Sequence, residues 1–334
     1  MGTENKHSYR DKLIPLYTEL PAIHEEKGTN VGFWLSQHTT NAGLWLDKYI
    51  KNQDQEDTDN RGTLVKEVAA ISVPLAYKQF YRRWEQMLAS VDVKTRIARA
   101  KGRMVVGLGD ESVLETSIAL HHTYGVPYIP GSALKGLAAS YARQRLGEPW
   151  RKGDWAYNVI FGDTDNAGFI TFFDALLHID PDSDPDQPGA SVLRRDTITV
   201  HHPDYYQGKK DATPSDWDSP TPIPFLSTTG KYLIALAAPD LEDASPWITR
   251  TFKILRYALE EMGIGAKTSS GYGRMTLETR KEDEAPEDPE MTGVVAEVIP
   301  ETAAERLLRE IKEAPQATYE LFAAWEQLPP TPCR

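Results

Sequence analysis

Apolar residues return along the chain at two different periods, and the changes of period mark its elements. Over residues 74–90, Tyr77, Phe80, Tyr81, Trp84, Met87 and Leu88 fall on one helical stripe with Pro74 in a first-turn position, which predicts a packed helix. Residues 132–146 predict a second helix, burying Leu134, Leu137, Ala138 and Tyr141. Residues 248–262 predict a third, with Ile248, Phe252, Leu255, Leu259 and Met262 aligned and Gly263 placed to end it. Shorter runs predict strands at 104–108 and 113–120, with a Gly-Asp turn between them, then at 168–175, 231–238 and 275–279.

Counting the hairpin at 104–120 as one contribution to a sheet, the order is strand, helix, strand, strand, helix, strand. That is an α+β class, the split βαββαβ pattern of a ferredoxin-like or RNA-recognition-motif fold, with helices on one sheet face and the other face available. Residues 103–280 hold this domain. Ahead of it, residues 1–102 form an N-terminal arm and helical insertion. Residues 1–30 have no sustained period, and Phe33, Trp34, Leu35, Leu44, Trp45 and Leu46 require burial or a partner. An insertion at 176–230 is too long for a plain connection. Its alternation Thr197, Ile198, Thr199, Val200, His201 suggests one arm of a protruding hairpin, a thumb, followed by a Pro-rich run at 214–224. Residues 281–334 read as an acidic linker and a helical extension, in which Leu307, Leu308 and Ile311 could dock on the domain or on a neighbour.

Composition narrows the classes. The chain has 334 residues and a formal charge of −12, which argues against an indiscriminately basic nucleic-acid binder. Charge is nevertheless uneven: Lys94, Arg96, Arg99, Lys101 and Arg103 form a basic run, while 54–59, 180–186 and 282–290 are acidic. Local charge decides whether a face attracts phosphate. The single cysteine, Cys333, permits no disulfide within the chain and no thiolate metal cluster. The polar opening MGTENKHSYRDKL and the absence of a long apolar run lead to the expectation of a cytoplasmic protein without a membrane span.

Two stretches carry backbone-permissive chemistry. In MGIGAKTSSGYGR (262–274), Gly263, Gly265, Gly271 and Gly273 allow close approach and positive φ, so Thr268, Ser269 and their neighbours can turn N–H groups toward an anion. Lys267 and Arg274 add positive charge, and Tyr272 a flat face that stacks on a base or sugar or closes the loop against the sheet. In YGVPYIPGSALKG (124–136), Pro127 and Pro130 hold an extended approach, Gly131 turns, Ser132 stands where an N-cap belongs, and Lys135 follows in the first helical turn. Arg194 and Arg195, at the foot of the thumb, could contact the same polyanion or pair with the acidic stretch nearby. The expectation is that the two stretches fold side by side and share one threaded ribonucleotide strand.

Other residues invite chemistry with a plainer reading beside it. His121 and His122 could serve a metal-independent ribonuclease, one of them deprotonating a 2′-hydroxyl, although adjacent strand residues point to opposite faces and a lone histidine there is ordinarily structural. Asp110, with Glu111, could belong to a cleavage loop, or simply follow Gly109 in a turn. Asp163, Asp165 and Asp174 mimic part of a calcium-loop spacing, yet Ala167 replaces a ligand and the flanks read as strand, so a turn explains them better. No metal and no cofactor is expected.

Three motifs in order, PYIPGSALKG at 127–136, AGFITFFDA at 167–175 and GIGAKTSSGYGR at 263–274, resemble the RAMP superfamily of CRISPR-associated proteins. With NAGLWLDKY at 41–49 and HHPDYY at 201–206, the chain is most similar to the family of sixth subunits of the Cmr complex, the type III-B effector. The resemblance covers about residues 30–280. It implies a subunit that binds the CRISPR guide RNA and its complementary target, holds the 3′ part of the guide, and caps a filament beside the repeated backbone subunit and a further RAMP protein. It also implies no catalysis by this chain, since cutting in that assembly belongs to the backbone subunit. The alternative is a RAMP-type endoribonuclease that processes guide precursors; a generic sheet-face RNA binder is a third reading.

Overall fold

The computed structural model describes residues 40–279 apart from 51–57, 92, 113, 115, 148–149, 185, 207, 209–212, 216–219 and 239–243. The arm at 1–30, the aromatics Phe33 and Trp34, the acidic linker and the Leu307–Ile311 pattern lie outside the described residues. In chain order the elements are α1 (Ala42–Lys48), α2 (Thr58–Ala69), α3 (Leu75–Ser90), β1 (Lys94–Ala100), β2 (Tyr128–Ile129) and α4 (Gly131–Tyr141), which runs on as a π turn at Ala142–Leu146. Then come α5 (Trp155–Phe161), β3 (Thr171–Phe172), β4 (Ala175–Leu177), β5 (Leu193–Val200), the single turn α6 (Pro203–Tyr206), β6 (Thr221–Thr228), β7 (Lys231–Ala237), α7 (Ala244–Glu261) and β8 (Met275–Leu277). They fall into two compact units: Met1–Tyr81 with Val105–Pro127 and Ile179–Thr229, and Arg82–Met104 with Tyr128–His178 and Gly230–Arg334. The boundary passes through α3.

The second unit holds an antiparallel sheet ordered β2-β4-β7-β1-β8, with β3 also pairing β7. Its chain path β1-α4-β4-β7-α7-β8 is the expected split βαββαβ arrangement, with β2 added at one edge. The first strand is not the one expected. Lys94–Ala100 lies on the N-terminal side of the boundary drawn at 102/103, yet it pairs with β7 from Lys94↔Leu236 to Arg99↔Lys231 and with β8 at Ala98↔Leu277. Its alternation was hidden because a charge sits on the apolar face: Arg96 is buried with its guanidinium 4.9 Å over the Phe252 ring of α7, next to a fully buried Ala98. Such a cation keeps its stem in apolar contact and gains from the ring's negative face.

α4 and α7 pack on each other, and α7 packs on β8. α4 begins at Gly131 rather than Ser132 and buries Gly131, Leu134, Ala138 and Tyr141 as its stripe. α7 begins at Ala244, four residues earlier than the periodicity suggests, and its end is as expected: Met262 and Gly263 both donate to the Ala258 carbonyl, and Gly263 has φ of 76°. α5 was not foreseen; Tyr157, Val159, Ile160 and Phe161 bury most of this short helix.

In the first unit, α2 packs on the two-stranded sheet of β5 and β6, whose register runs from Leu193↔Thr228 to Val200↔Thr221. The thumb hairpin therefore exists but lies against a helix along part of its length, with Phe225 and Leu226 buried. Pro222 and Pro224 fit a strand because they share the register parity whose N–H position faces away from the partner. The expected strands at 104–108 and 113–120 are two paired but irregular arms. Ala119 donates to Val106 and Ser117 to Leu108, while Gly107 at φ 76° breaks the extended run.

Candidate nucleic-acid interface

The glycine-rich loop after α7 has a stitched base and an open tip. At the base, Ile264 donates to the Gly273 carbonyl at 2.9 Å, Gly273 donates to the Arg103 carbonyl at 2.8 Å, and Lys101 donates to the Arg274 carbonyl at 2.8 Å. A Cβ on Gly273 would strike the Ile264 carbonyl, and one on Gly263 would press on the backbone of Tyr272 to Arg274, so these glycines are demanded by backbone contact. At the tip, Thr268–Ser270 forms a 3-10 turn between Lys267 at φ 59° and Gly271 at φ 87°. A Cβ at Gly271 would meet nothing, so that glycine serves conformation alone. Lys267 is the one non-glycine residue with positive φ among the described residues. Strained backbone of this kind persists where its surroundings enforce it, and it gathers at ligand sites.

The base hydrogen bonds join the loop to the basic run, which had looked like a separate feature of residues 94–103. Lys101 and Arg103 receive the loop directly, and Arg99, exposed, stands opposite Lys231 of β7 and Thr276 of β8. Like charges facing each other across a ladder are unfavourable by themselves. Lys101 is paired with Glu260 at 2.6 Å, and Arg274 donates NH1 to the Glu260 carbonyl at the end of α7. Arg274 thus closes a helix terminus and holds the loop, while Tyr272 is half-buried between the two glycines of the base and tip. Arg99 and Lys231 join the candidate site only through the register, which sets them side by side and which no single stretch of sequence shows.

The second stretch has a different fate. Pro130 occupies the cap position of α4, and Ser132 is exposed inside the helix without a capping hydrogen bond. The acceptor for the Gly131 N–H is Asp174, at 2.8 Å, so the protein's own carboxylate sits at the positive end of the helix where a phosphate was expected. A Cβ on Gly131 would strike the Phe172 carbonyl, which is why the helix can start so close to β3. Lys135 is half-buried one turn further on.

Nor do the two stretches lie side by side. Gly131 abuts Phe172 and Phe173, level with Leu236 and Ala235 of β7, whereas the glycine loop follows the other end of the sheet, level with Gly230. Five to six residues of strand separate those levels, about 18 Å. The expectation of one shared groove is overturned by the strand that runs between them. What does reach the loop is the far end of α4, where the Tyr141 hydroxyl donates to Glu261 at 3.3 Å. Burial first, and then the Glu261 charge, hold the Tyr141 hydroxyl protonated far above the ordinary phenol range.

The remaining candidates belong to the first unit. Arg194 donates NH1 to the Ser191 and Leu193 carbonyls, and Arg195 lies over Gly62 of α2; both are exposed at the base of the hairpin. The hairpin's other end, at α6, carries Tyr205 and Tyr206, 52% and 70% exposed. His121 is built into a turn: its Nδ1 accepts from Thr123, and its ring packs 4.9 Å from Tyr124 and 5.5 Å from Phe80. His122 is exposed, and its carbonyl accepts from Asn41. Asp110 is an exposed turn residue donating its amide to Gly107. Asp163 accepts from the Asp165 and Asn166 amides, which hold its carboxyl below the usual range and make the calcium-like spacing a turn. Among the described residues no three His, Cys, Asp or Glu gather as a metal site, and no helix is long and apolar enough to cross a membrane.

The RAMP superfamily model matches residues 98–276, and the chain belongs to that superfamily. Within it, the Cmr6 subunit of the Pyrococcus furiosus CRISPR system is 32% identical over 254 residues, 60% of this chain and 72% of that protein. The Cmr6 subunit of Saccharolobus solfataricus is 26% identical over 200 residues, 60% of this chain and 61% of that one. The likeness carried by PYIPGSALKG, AGFITFFDA and the glycine loop is thereby borne out. Among solved structures, a type III-B Cmr-beta complex bound to cognate target RNA aligns with a TM-score of 0.46 at 22% identity, covering 69% of this chain and 78% of that one. The crystal structure of Pyrococcus furiosus Cmr6 aligns with a TM-score of 0.34 at 28% identity, covering 55% and 97%.

Proposed function

We propose that the chain is an RNA-binding, non-catalytic subunit of a type III-B CRISPR Cmr effector complex in the cytoplasm, where it holds the 3′ part of the guide RNA and caps the filament of backbone subunits. Kinship with Cmr6 proteins supports the assembly. The observation that carries the RNA contact is the bond from Gly273 to Arg103, which delivers a cationic loop tip and a basic strand end to one place. Phosphates can be gripped there by position while sequence is left to base pairing. In the assembled particle with guide and target RNA, Lys267, Arg99 and Arg103 should crosslink to RNA, and loss of their charge should weaken retention of the guide. A crosslink map that leaves the loop and strand end bare would defeat this reading.

The absence of catalysis is part of the proposal. His121 has its Nδ1 and ring engaged by its own turn, and Asp110 shapes a turn with Gly107, which favours structural duties for both. Purified chain incubated with repeat-containing RNA without divalent metal should leave it intact. Specific cutting that disappears in His121→Gln or His122→Gln would establish the endoribonuclease instead.

A further inference from the structure

Glu260 stands in the last turn of α7, a position that disfavours a carboxylate. That turn contains no basic residue and ends in Glu260 and Glu261, so two negative charges lie at the negative end of the helix dipole. Glu261 has an evident partner in the Tyr141 hydroxyl at 3.3 Å. Glu260 faces Lys101 instead, with Oε1 2.6 Å from Nζ, and the lysine and glutamate side chains are 46% and 47% exposed. An ion pair so open to water is screened by it and contributes little to stability.

What Glu260 engages is the base of the glycine loop. The Lys101 amide donates to the Arg274 carbonyl at 2.8 Å, and Arg274 donates NH1 to the Glu260 carbonyl at 3.0 Å. The backbones at 101 and 274 are thus joined, and both of their side chains end on this one residue. The two contacts differ in kind. The carbonyl contact closes the helix end and needs no particular side chain at 260. The carboxylate contact depends on glutamate, and it cancels one positive charge in the segment that holds Arg99, opposite Lys231, and Arg103, joined to Gly273. A lysine ammonium has three turning donors and no fixed geometry, so it passes readily from one oxyanion to another.

We propose that Glu260 is a displaceable stand-in for phosphate: in the free chain it holds Lys101, and a backbone phosphate of the bound RNA takes that lysine from it. This rests on the reading of the loop and strand end as an RNA interface. Glu260 thereby sets the grip of the site below what its cations alone would give, and Lys101 becomes a phosphate contact only in the complex.

Affinity of the full chain for a single-stranded guide RNA, measured over a salt series, tests this. Glu260→Gln should tighten binding about three- to fivefold, the range a half-exposed pair can hold back, with the slope of log affinity against log salt unchanged. Lys101→Gln should weaken binding and lower that slope by about 0.7, one phosphate contact on a single strand. Glu261→Gln removes the same charge without freeing Lys101 and should shift affinity by less than about twofold, since a charge without direct contact is screened. A Lys101→Gln slope equal to that of the parent would mean that the lysine stays with Glu260 in the complex and would overturn the proposal. Equal tightening by Glu260→Gln and Glu261→Gln would overturn it as well. Should Lys101→Gln fail to fold, the comparison of the changes at 260 and 261 decides alone. If these variants leave binding unmoved while Arg103→Gln and Lys267→Gln weaken it, the proposal fails and the interface stands; if all of them leave it unmoved, the interface fails too.

Discussion

The amide of Gly273 donates to the carbonyl of Arg103 at 2.8 Å, and this one bond makes a continuous feature of two segments about which the sequence is silent as a pair. Position 273 has φ of 73° and no room for a Cβ against the Ile264 carbonyl, whereas position 271 has φ of 87° and open space. Gly273→Ala should therefore cost about 2–4 kcal/mol through strain and displaced backbone. Gly271→Ala should cost only the left-handed conformation, about 1–2 kcal/mol. Chemical denaturation of both variants checks the order; equal losses would mean that the base of the loop is not packed as described.

Lys267 sets stability against binding. A lysine held at φ 59° carries left-handed strain that glycine would not, so Lys267→Gly should stabilise the chain by about 1 kcal/mol. The same change removes a cation from the loop tip. If that lysine contacts one phosphate, the slope of log affinity against log salt for single-stranded guide RNA should fall by about 0.7. Calorimetric melting and a salt titration of the reconstituted particle give the two signs separately, and a variant improved in both respects would remove Lys267 from the interface.

Asn41 latches a turn 81 to 82 residues away in sequence. Its Nδ2 donates to the His122 and Thr123 carbonyls at 2.9 and 3.0 Å, while its Oδ1 accepts from Leu44 at the start of α1. Gly125, at φ 64°, brings its backbone against Ala42. Asn41→Ala should cost roughly 1–3 kcal/mol by stranding two carbonyls and a helix N-terminus. Asn41→Asp should cost at least as much: it keeps the cap but turns a carboxylate toward two carbonyl oxygens. An aspartate variant as stable as the parent would show that the cap alone matters.

The legible part of the fold was the part written in local periodicity. The stripes of α3, α4 and α7, the stop at Gly263 and the hairpin arm at Thr197–Val200 follow from spacing. β1 escaped because Arg96 occupies an apolar position and is satisfied by Phe252, a residue more than 150 positions on. The start of α4 was misplaced for a related reason: Ser132 has the right chemistry for a cap, but Asp174, in the irregular break between β3 and β4 as both run along β7, reaches the Gly131 amide first. The separation of the two glycine-containing stretches depends on the register of β7 with β1 and β3, which no single stretch encodes. Composition supplied the kinds of residue at the candidate site; which of them meet is decided by pairings across the sheet.

Tyr141 makes the far end of α4 sensitive to alkali. It is fully buried, its hydroxyl donates to Glu261 at 3.3 Å, and burial followed by the Glu261 charge raises its pKa in the folded chain above the unfolded value of about 10. A group whose folded pKa is raised contributes stability that is fully present below the unfolded pKa and is lost as pH climbs toward the folded one. Between pH 8 and pH 11 this tyrosine alone should remove about 1.4 kcal/mol. Tyr141→Phe should lose about 1 kcal/mol at pH 8 with the hydrogen bond, and then decline less steeply with pH than the parent. Denaturation midpoints at pH 8, 9.5 and 11 measure the difference between the two chains, which cancels the contribution of the other tyrosines. Parallel curves would mean that Tyr141 reaches water when the chain is folded, and that α4 and α7 do not close on each other beside the glycine loop.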